Sequence, residues 1–142
     1  MSRVAYMVMW IFENLYTLCC IEVLRPQLKG LFFGISRSAW ALGLFVYLVY
    51  CLKTLRKTYN DESDLKVNAV DNMTVGEMLK NLNTIVKLRY DYNMNLGRTF
   101  SDLLICLNEL RLPYYLLGIQ MNDGVEGVFG ILSATIFITC LY

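Results

Sequence analysis

Hydrophobic and polar positions divide the chain into five segments. An apolar stretch covers residues 1–30, and a second apolar stretch over residues 31–57 ends in a basic flank. A polar segment follows over residues 58–73, and apolar residues then recur at helical spacing through residues 74–116. A glycine-rich apolar stretch closes the chain over residues 117–142. Because no part alternates with a period of two for long, the pattern predicts an all-α protein.

The second segment has the features of a transmembrane helix. Leu31–Leu52 contains a single charge, Arg37, and the basic residues Lys53, Arg56 and Lys57 come directly after it. Aromatic residues and a basic cluster at the end of an apolar run are typical of the membrane–water interface. The pattern therefore predicts a first transmembrane helix over residues 31–57.

The last segment predicts a second transmembrane helix. Residues 125–142 carry no charge after Glu126 and would form a helix of about 27 Å, close to the ~30 Å hydrocarbon core of a bilayer. Small residues recur at every third position along its first half: Gly124, Gly127, Gly130 and Ser133. Missing side chains let another helix approach closely in lipid, so we expect this row to pack against a helix of the same molecule or of another copy.

The first segment is apolar but interrupted by charge. Val4–Leu24 contains Glu13 near its middle, and Pro26 ends any helix there. A charge at the bilayer centre costs about 2.5–3.5 kcal/mol on insertion scales. The segment therefore lies at the interface, packs against protein, or spans with Glu13 in a polar cavity. We favour an interfacial helix over residues 1–30 that also packs against protein.

Residues 74–116 predict two amphipathic helices after a polar loop over residues 58–73. Thr74 and Glu77 match a capping box, which marks a helix start. The first helix, 74–88, carries lysines on its polar face, Lys80 and Lys87, and an apolar stripe that consists of Val75, Met78, Leu79, Leu82, Ile85 and Val86. Such a helix either lies on an anionic bilayer surface or pairs with the second helix, at about 99–112, as a helical hairpin.

Composition excludes several kinds of chemistry. The chain has no histidine, which removes histidine-based acid–base catalysis and histidine-ligated metals. Its net charge of +1 excludes a strongly basic nucleic-acid-binding protein, and its 56% hydrophobic content is high for a soluble protein. The five cysteines form no C-x-x-C pair, and we expect them to be small buried residues. We therefore expect no enzymatic activity, no metal, no cofactor and no nucleic-acid partner.

The end of the chain resembles a known family. Asn108-Glu-Leu-Arg-Leu-Pro113 is followed by Asp123-Gly-Val-Glu-Gly-Val-Phe-Gly-Ile-Leu-Ser-Ala134, an apolar run and a terminal tyrosine. This order is similar to that of the peroxisomal membrane-elongation family, peroxin eleven, whose members have a leucine-proline after an amphipathic helix and a helix reading roughly G-x-x-G-x-x-G-x-x-S-S. Ala134 stands where a second serine is usual. Phe12–Tyr16 with Ser36–Trp40 gives a weaker match to the family's middle region. The chain is thus expected to be a shortened form that lacks the usual N-terminal third.

The resemblance implies an integral peroxisomal membrane protein with both termini towards the cytosol. Such a protein would promote elongation, proliferation and fission of peroxisomes through amphipathic-helix insertion and self-association. Its implied partners are the lipid bilayer, further copies or full-length relatives, and the fission machinery.

Two alternatives stay open: a small channel or transporter subunit with Glu13 or Arg37 lining a pore, and a membrane-anchored adaptor that binds partners through residues 53–116. The basic residues after Leu52 favour a cytosolic central loop, whereas other charges favour the opposite side: Arg3, Arg25, Lys29 and Arg37.

Overall fold

The computed structural model describes residues 2–72, 74–118 and 121–141, and these residues form helices joined by short connections. They contain no β-strand, so the all-α prediction is confirmed. The elements in chain order are α1 (Ser2–Cys20), a short 3₁₀ helix (Pro26–Leu28), α2 (Lys29–Asn72), α3 (Val75–Glu109), α4 (Leu112–Leu117) and α5 (Asp123–Leu141).

Local side-chain chemistry sets the helix starts. Thr74 has an extended backbone, and the Glu77 carboxylate accepts hydrogen bonds from its hydroxyl at 2.8 Å and from its backbone N–H at 3.4 Å. The predicted start of α3 is therefore confirmed. At α5, the Asn122 side-chain oxygen accepts a hydrogen bond from the Val125 N–H at 2.9 Å, which satisfies one of the free amides of the first turn.

Two predictions about connections are wrong. Residues 58–72, predicted as a polar loop, continue α2, because this segment has no glycine or proline to interrupt it and its charges find helical partners. Glu62 accepts from Lys66 one turn later at 2.8 Å and from Arg89 of α3 at 2.7 Å. The predicted helical hairpin of 74–88 with 99–112 is also wrong. Residues 75–109 form the single helix α3, which packs against α2.

Side-chain hydrogen bonds show which parts of α1, α2, α3 and α5 lie next to one another. The Ser36 hydroxyl of α2 donates to the Met9 carbonyl of α1 at 3.1 Å, and the Cys106 thiol of α3 donates to the Arg37 carbonyl of α2 at 3.2 Å. On the far side, the Asn108 amide of α3 donates to Glu126 of α5 at 3.2 Å. The helices therefore lie side by side in the order α1, α2, α3, α5. We call α1, residues 29–52, residues 93–109 and α5 together the four-helix layer.

The two central helices extend far beyond this layer. The 44 residues of α2 measure about 66 Å and the 35 residues of α3 about 52 Å, whereas the 19 residues of α1 and of α5 measure about 28 Å each. We call residues 53–72 and 74–92 the projecting hairpin. The Tyr50 and Tyr92 hydroxyls lie 3.4 Å apart at its base.

Both outer helices reach the face of the layer from which the hairpin projects, here called the hairpin face. Gly43 lies against Ala5, so the Ser2 end of α1 lies just below the hairpin. Gly97 lies against Ile136, so the Leu141 end of α5 reaches the same level. The opposite face carries the connection between α1 and α2 and the short helix α4.

The described residues reverse the distribution of side chains found in a water-soluble helix bundle, and we call this arrangement inside-out packing. Few large apolar side chains are buried, and most of the buried positions are small or polar: Cys19, Ser36, Cys51, Thr58, Thr99, Ser101, Cys106, Asn108 and Ser133. Large apolar side chains point outward from the layer, among them Val4, Met7, Trp10, Leu42, Phe45, Val128, Ile131 and Ile138. Small and hydrogen-bonding residues between helices with large apolar residues outside are the arrangement of helices packed in lipid.

One helix of the described residues is long and apolar enough to cross a membrane. It is the stretch Pro26–Val67, whose most apolar window of 18 residues has a mean hydropathy of 1.5. This stretch contains Leu31–Leu52, the first predicted span. The second predicted span, over residues 125–142, stays a prediction.

Candidate membrane-embedded site

A charged cluster in the layer centres on Arg37. Its guanidinium Nε lies 2.8 Å from the Glu109 carboxylate of α3, and its Nη2 lies 3.8 Å from the Glu13 carboxylate of α1. The guanidinium also packs over the rings of Phe33 and Trp40, with 5.2 Å to each centroid. Glu13 therefore packs against a protein partner, and the cluster ties three helices together.

Asn108 extends this polar network to α5. Its amide nitrogen donates to Glu126 at 3.2 Å and to the Met121 carbonyl at 3.5 Å, and its amide oxygen accepts from the Met121 N–H at 3.1 Å. Asn108 is buried, so each of these bonds replaces a contact with water. The charged and polar groups at this level thus bind one another rather than stand alone in an apolar surrounding.

A second polar group lies closer to the hairpin face. Ser133 of α5 donates its hydroxyl hydrogen to Asp102 of α3, and Arg98 lies 3.9 Å from the same carboxylate while its guanidinium covers the Phe137 ring at 4.4 Å. A cavity of about 220 Å³ adjoins these residues and is lined by Tyr6, Leu44, Tyr47, Asn95, Arg98, Thr99 and Asp102. The polar groups of the layer are therefore concentrated between helices.

The small-residue row of α5 makes one buried contact within the chain. Ser133 is buried against α3, but a side chain added at Gly127 or Gly130 would meet no atom within 4 Å, and one added at Gly124 would meet only the Asn122 side chain, at 3.4 Å. The row therefore provides no close backbone approach inside the described residues. Contact with another copy, the other possibility, stays a prediction.

Gly43 is the close-packing glycine, and the sequence pattern did not single it out. A Cβ at this position would lie 3.3 Å from the Ala5 Cβ and 3.5 Å from the Tyr6 ring. Its hydrogen side chain lets α1 and α2 approach. The available signal was the recurrence of small residues at Ser36, Gly43 and Cys51, at steps of seven and eight that keep one helix face.

Tyrosine and basic residues mark both ends of the layer. At the opposite face, the Lys29 ammonium lies 5.5 Å from the Tyr16 ring, and at the hairpin face Tyr50 contacts Tyr92. Lys29 and Tyr50 lie 21 positions apart on α2, a distance of about 32 Å along the helix, which matches the hydrocarbon core of a bilayer. Exposed Tyr115 of α4 adds to the belt at the opposite face. Two such belts are typical of a protein that crosses a membrane.

Comparison with protein families agrees with the motif at the end of the chain. The family model described as Peroxisomal biogenesis factor 11 (PEX11) matches residues 1–141. The chain belongs to the PEX11 family. A role in peroxisome biogenesis and an association with peroxisomes follow from this membership. No curated protein and no solved structure shows significant similarity to the chain.

The predicted membrane-surface helix of this PEX11-family chain, residues 74–88, forms most of the α3 arm of the hairpin. Its apolar stripe is divided: Met78, Leu82 and Ile85 are half-buried, whereas Val75, Leu79 and Val86 are exposed. Lys80 and Lys87 are exposed on the polar side. The amphipathic role expected of this segment, and its contact with a bilayer surface, stay predictions.

The cysteines follow the predicted pattern in part. Cys19, Cys51 and Cys106 are buried free thiols, as expected for small residues between PEX11 helices. Cys20 is exposed at the end of α1, so the prediction is wrong there, because successive helix positions point to different sides. The side chain of Cys140 lies outside the described residues.

Proposed function

We propose that the four-helix layer lies in the peroxisomal membrane and that the protein promotes elongation and proliferation of the organelle. The observation that carries the proposal is the inside-out packing of a layer about 28 Å thick between two tyrosine belts. Exposed Val4, Leu42 and Ile131 would each cost free energy in water, at about 25 cal/mol per Å² of apolar surface. In lipid these side chains need no protein cover.

The neighbours of α2 enter the bilayer with it in this proposal. α1 lies beside residues 29–47 of α2 along its whole length, so a bilayer that surrounds α2 at that level surrounds α1 as well. Its exposed residues there are apolar, with Met7 and Trp10 pointing outward. The charges of α3 at this level, Arg98, Asp102 and Glu109, each lie next to a charge of opposite sign. The layer would thus cross the membrane four times rather than the predicted two.

We place the hairpin face on the cytosolic side. The residues just above the layer are basic at Lys53, Arg56 and Lys57, and Arg3 lies in α1 near the same face. Excess positive charge on the cytosolic side is the general tendency of membrane proteins. This orientation also agrees with the two cytosolic termini implied by the family resemblance, because the Ser2 end of α1 and the Leu141 end of α5 both lie at the hairpin face.

Elongation follows, in this proposal, from many copies that each expand one leaflet. Segment 75–88 is the candidate wedge because Val75, Leu79 and Val86 are exposed and could enter lipid. To lie on the bilayer, the segment must leave α2 and give up the contacts of its half-buried side chains. Burial in lipid yields about 1.5–3 kcal/mol per large apolar side chain, so one wedge is weak and clustered wedges act together. The mechanism is physical and requires no catalytic residue.

Clustering is assigned to the open glycines of α5. Gly127 is exposed and has no neighbour within 4 Å of an added Cβ, so a helix of another copy can approach there. The partners we propose are further copies or longer relatives. Recruitment of fission machinery would follow from the same clustering.

Overexpression of the fluorescently tagged chain tests this function. We expect the tag to colocalise with peroxisomes and the organelles to become elongated. Gly127→Leu should leave localisation unchanged but reduce both the amount of cross-linked oligomer and the elongation of the organelles. The leucine side chain would occupy the space in which a helix of another copy approaches α5. Val128→Leu, a neighbouring exposed change that keeps the glycines, serves as the matched control. Localisation to another organelle, or elongation by Gly127→Leu equal to that by the wild type, would contradict the proposal.

A further inference from the structure

Four exposed cations lie where the projecting hairpin leaves the four-helix layer, and none has a carboxylate within 4 Å among the described residues. They are Lys53, Arg56, Lys57 and Lys87. By contrast, Lys66 and Arg89 of the same hairpin both pair with Glu62, at 2.8 and 2.7 Å. Because unpaired cations are gathered at one level, a partner outside the chain can neutralise them.

We call residues 53–57 and 87–91 the base belt. It contains five cations and one carboxylate, Asp91, a net charge of +4. The rest of the hairpin, residues 60–86, contains five carboxylates and two lysines, a net charge of −3. The hairpin is therefore strongly polarised, with positive charge next to the layer and negative charge away from it.

The base belt lies at the depth of lipid headgroups if the layer lies in the bilayer. Lys53 follows Tyr50 by about one helical turn, and Tyr50 belongs to the tyrosine belt at this face. Lysine and arginine stems extend along apolar surface and carry their charges to the interface. The opposite face lacks this excess: residues 21–30 and 110–126 contain three cations and three carboxylates, a net charge of zero.

We propose that the base belt binds anionic phospholipid headgroups in the leaflet at the hairpin face. One side of α2 carries Lys53, Arg56 and Lys57 within an arc of about 100°. These residues therefore form a row of charges on the helix surface and not a pocket around one small anion. Arg56 can hold a phosphate through two parallel N–H donors, and the lysines act as point charges. The inference rests on the proposed membrane embedding. Its consequence is that acidic lipids hold the hairpin base at the membrane surface.

Lipid selectivity of the full chain in proteoliposomes tests the belt. The probes are phosphatidylcholine vesicles with a trace of dansyl-labelled phosphatidylserine or dansyl-labelled phosphatidylcholine, and the readout is energy transfer from Trp10 and Trp40. We expect stronger transfer to the serine lipid, and this preference should weaken at high salt. Each cation should contribute up to about fivefold, which corresponds to about 1 kcal/mol per basic residue near an anionic surface.

Neutralising the belt should remove the preference. The quadruple variant Lys53→Gln/Arg56→Gln/Lys57→Gln/Lys87→Gln is expected to give equal transfer to both lipids. The control Lys66→Gln, which removes a cation of the hairpin tip outside the belt, should keep the wild-type preference. If the wild-type chain floats with the vesicles, either of two results overturns lipid binding by the base belt and leaves the membrane embedding unaffected. One is equal transfer to both lipids in the wild type, and the other is a preference for the serine lipid that the quadruple variant retains. Failure of the wild-type chain to float contradicts the membrane embedding, and the belt with it.

Discussion

Replacement of Arg37 by glutamine should destabilise the four-helix layer more than any other single charge change. The guanidinium lies 2.8 Å from Glu109 and 3.8 Å from Glu13, with 20% of its side chain exposed, so its loss leaves two partly buried carboxylates together. Breaking such a pair costs about 3 kcal/mol, at the lower end of the range for buried pairs. In detergent this corresponds to a fall of about 10 °C in the unfolding temperature.

The buried thiols provide the readout for this change. Cys51 and Cys106 have no exposed surface, so a thiol-reactive fluorophore should label them only as the layer opens on heating. Lys66→Gln, which removes an exposed ion pair worth at most about 1 kcal/mol, is the control. The double variant Arg37→Met/Glu109→Met should regain much of the loss, because neither charge remains unpaired. An unfolding temperature of Arg37→Gln equal to that of the control would show that the cluster does not hold the helices.

Gly43→Leu should separate α1 from α2. The added side chain begins 3.3 Å from the Ala5 Cβ, which is attached directly to the α1 backbone, and 3.5 Å from the Tyr6 ring. Overpacking of this kind destabilises a protein by about 1–3 kcal/mol. Here we expect α1 to move away from α2, because the leucine side chain needs that space. A cysteine pair at Ala5 and Leu44 should therefore cross-link in the wild-type background and fail to cross-link efficiently in the Gly43→Leu background.

Gly34→Leu is the matched control for Gly43→Leu. It lies on the same helix, but a Cβ at Gly34 meets no atom within 4 Å. Its cross-linking efficiency and unfolding temperature should remain those of the wild type. Both changes raise helix propensity alike, so equal losses in the two variants would contradict contact with α1 as the cause.

The helical content was readable from the sequence because it depends on local periodicity. The start of α3 followed from Thr74 and Glu77, whose interaction spans a single turn. The polar segment 58–72 was misread because its charges indicated a loop, whereas Glu62 stabilises a helix through both Lys66 and Arg89. The second of these contacts joins residues 27 positions apart, which local periodicity does not report.

The candidate site could be predicted only in part for the same reason. Glu13 and Arg37 were each singled out as charges in apolar segments, but their pairing depends on how α1 folds back beside α2. The local pattern did not single out Glu109, yet it is the closer partner of Arg37. The glycine repeat drew attention to α5, whereas the close approach occurs at Gly43, which has no glycine at the same spacing.

The order of the helices changes the expected membrane topology. Two crossings over residues 31–52 and 125–142 would place the central segment on the side opposite to both termini. Four crossings place the hairpin, the Ser2 end of α1 and the Leu141 end of α5 together on one side. The alternatives therefore differ in the location of the hairpin relative to the N-terminus, a relation that does not depend on the absolute orientation.

Labelling with a membrane-impermeant maleimide tests the embedded layer most directly. Two chains with an N-terminal epitope tag would each carry one cysteine, either native Cys20 or Lys80→Cys, with the other cysteines replaced by serine. In sealed proteoliposomes or intact peroxisomes, Lys80→Cys should react from the side on which protease removes the tag, and Cys20 should react only from the other side. Reaction of Cys20 from the tag side, with Lys80→Cys protected or with both cysteines reactive there, would contradict four crossings.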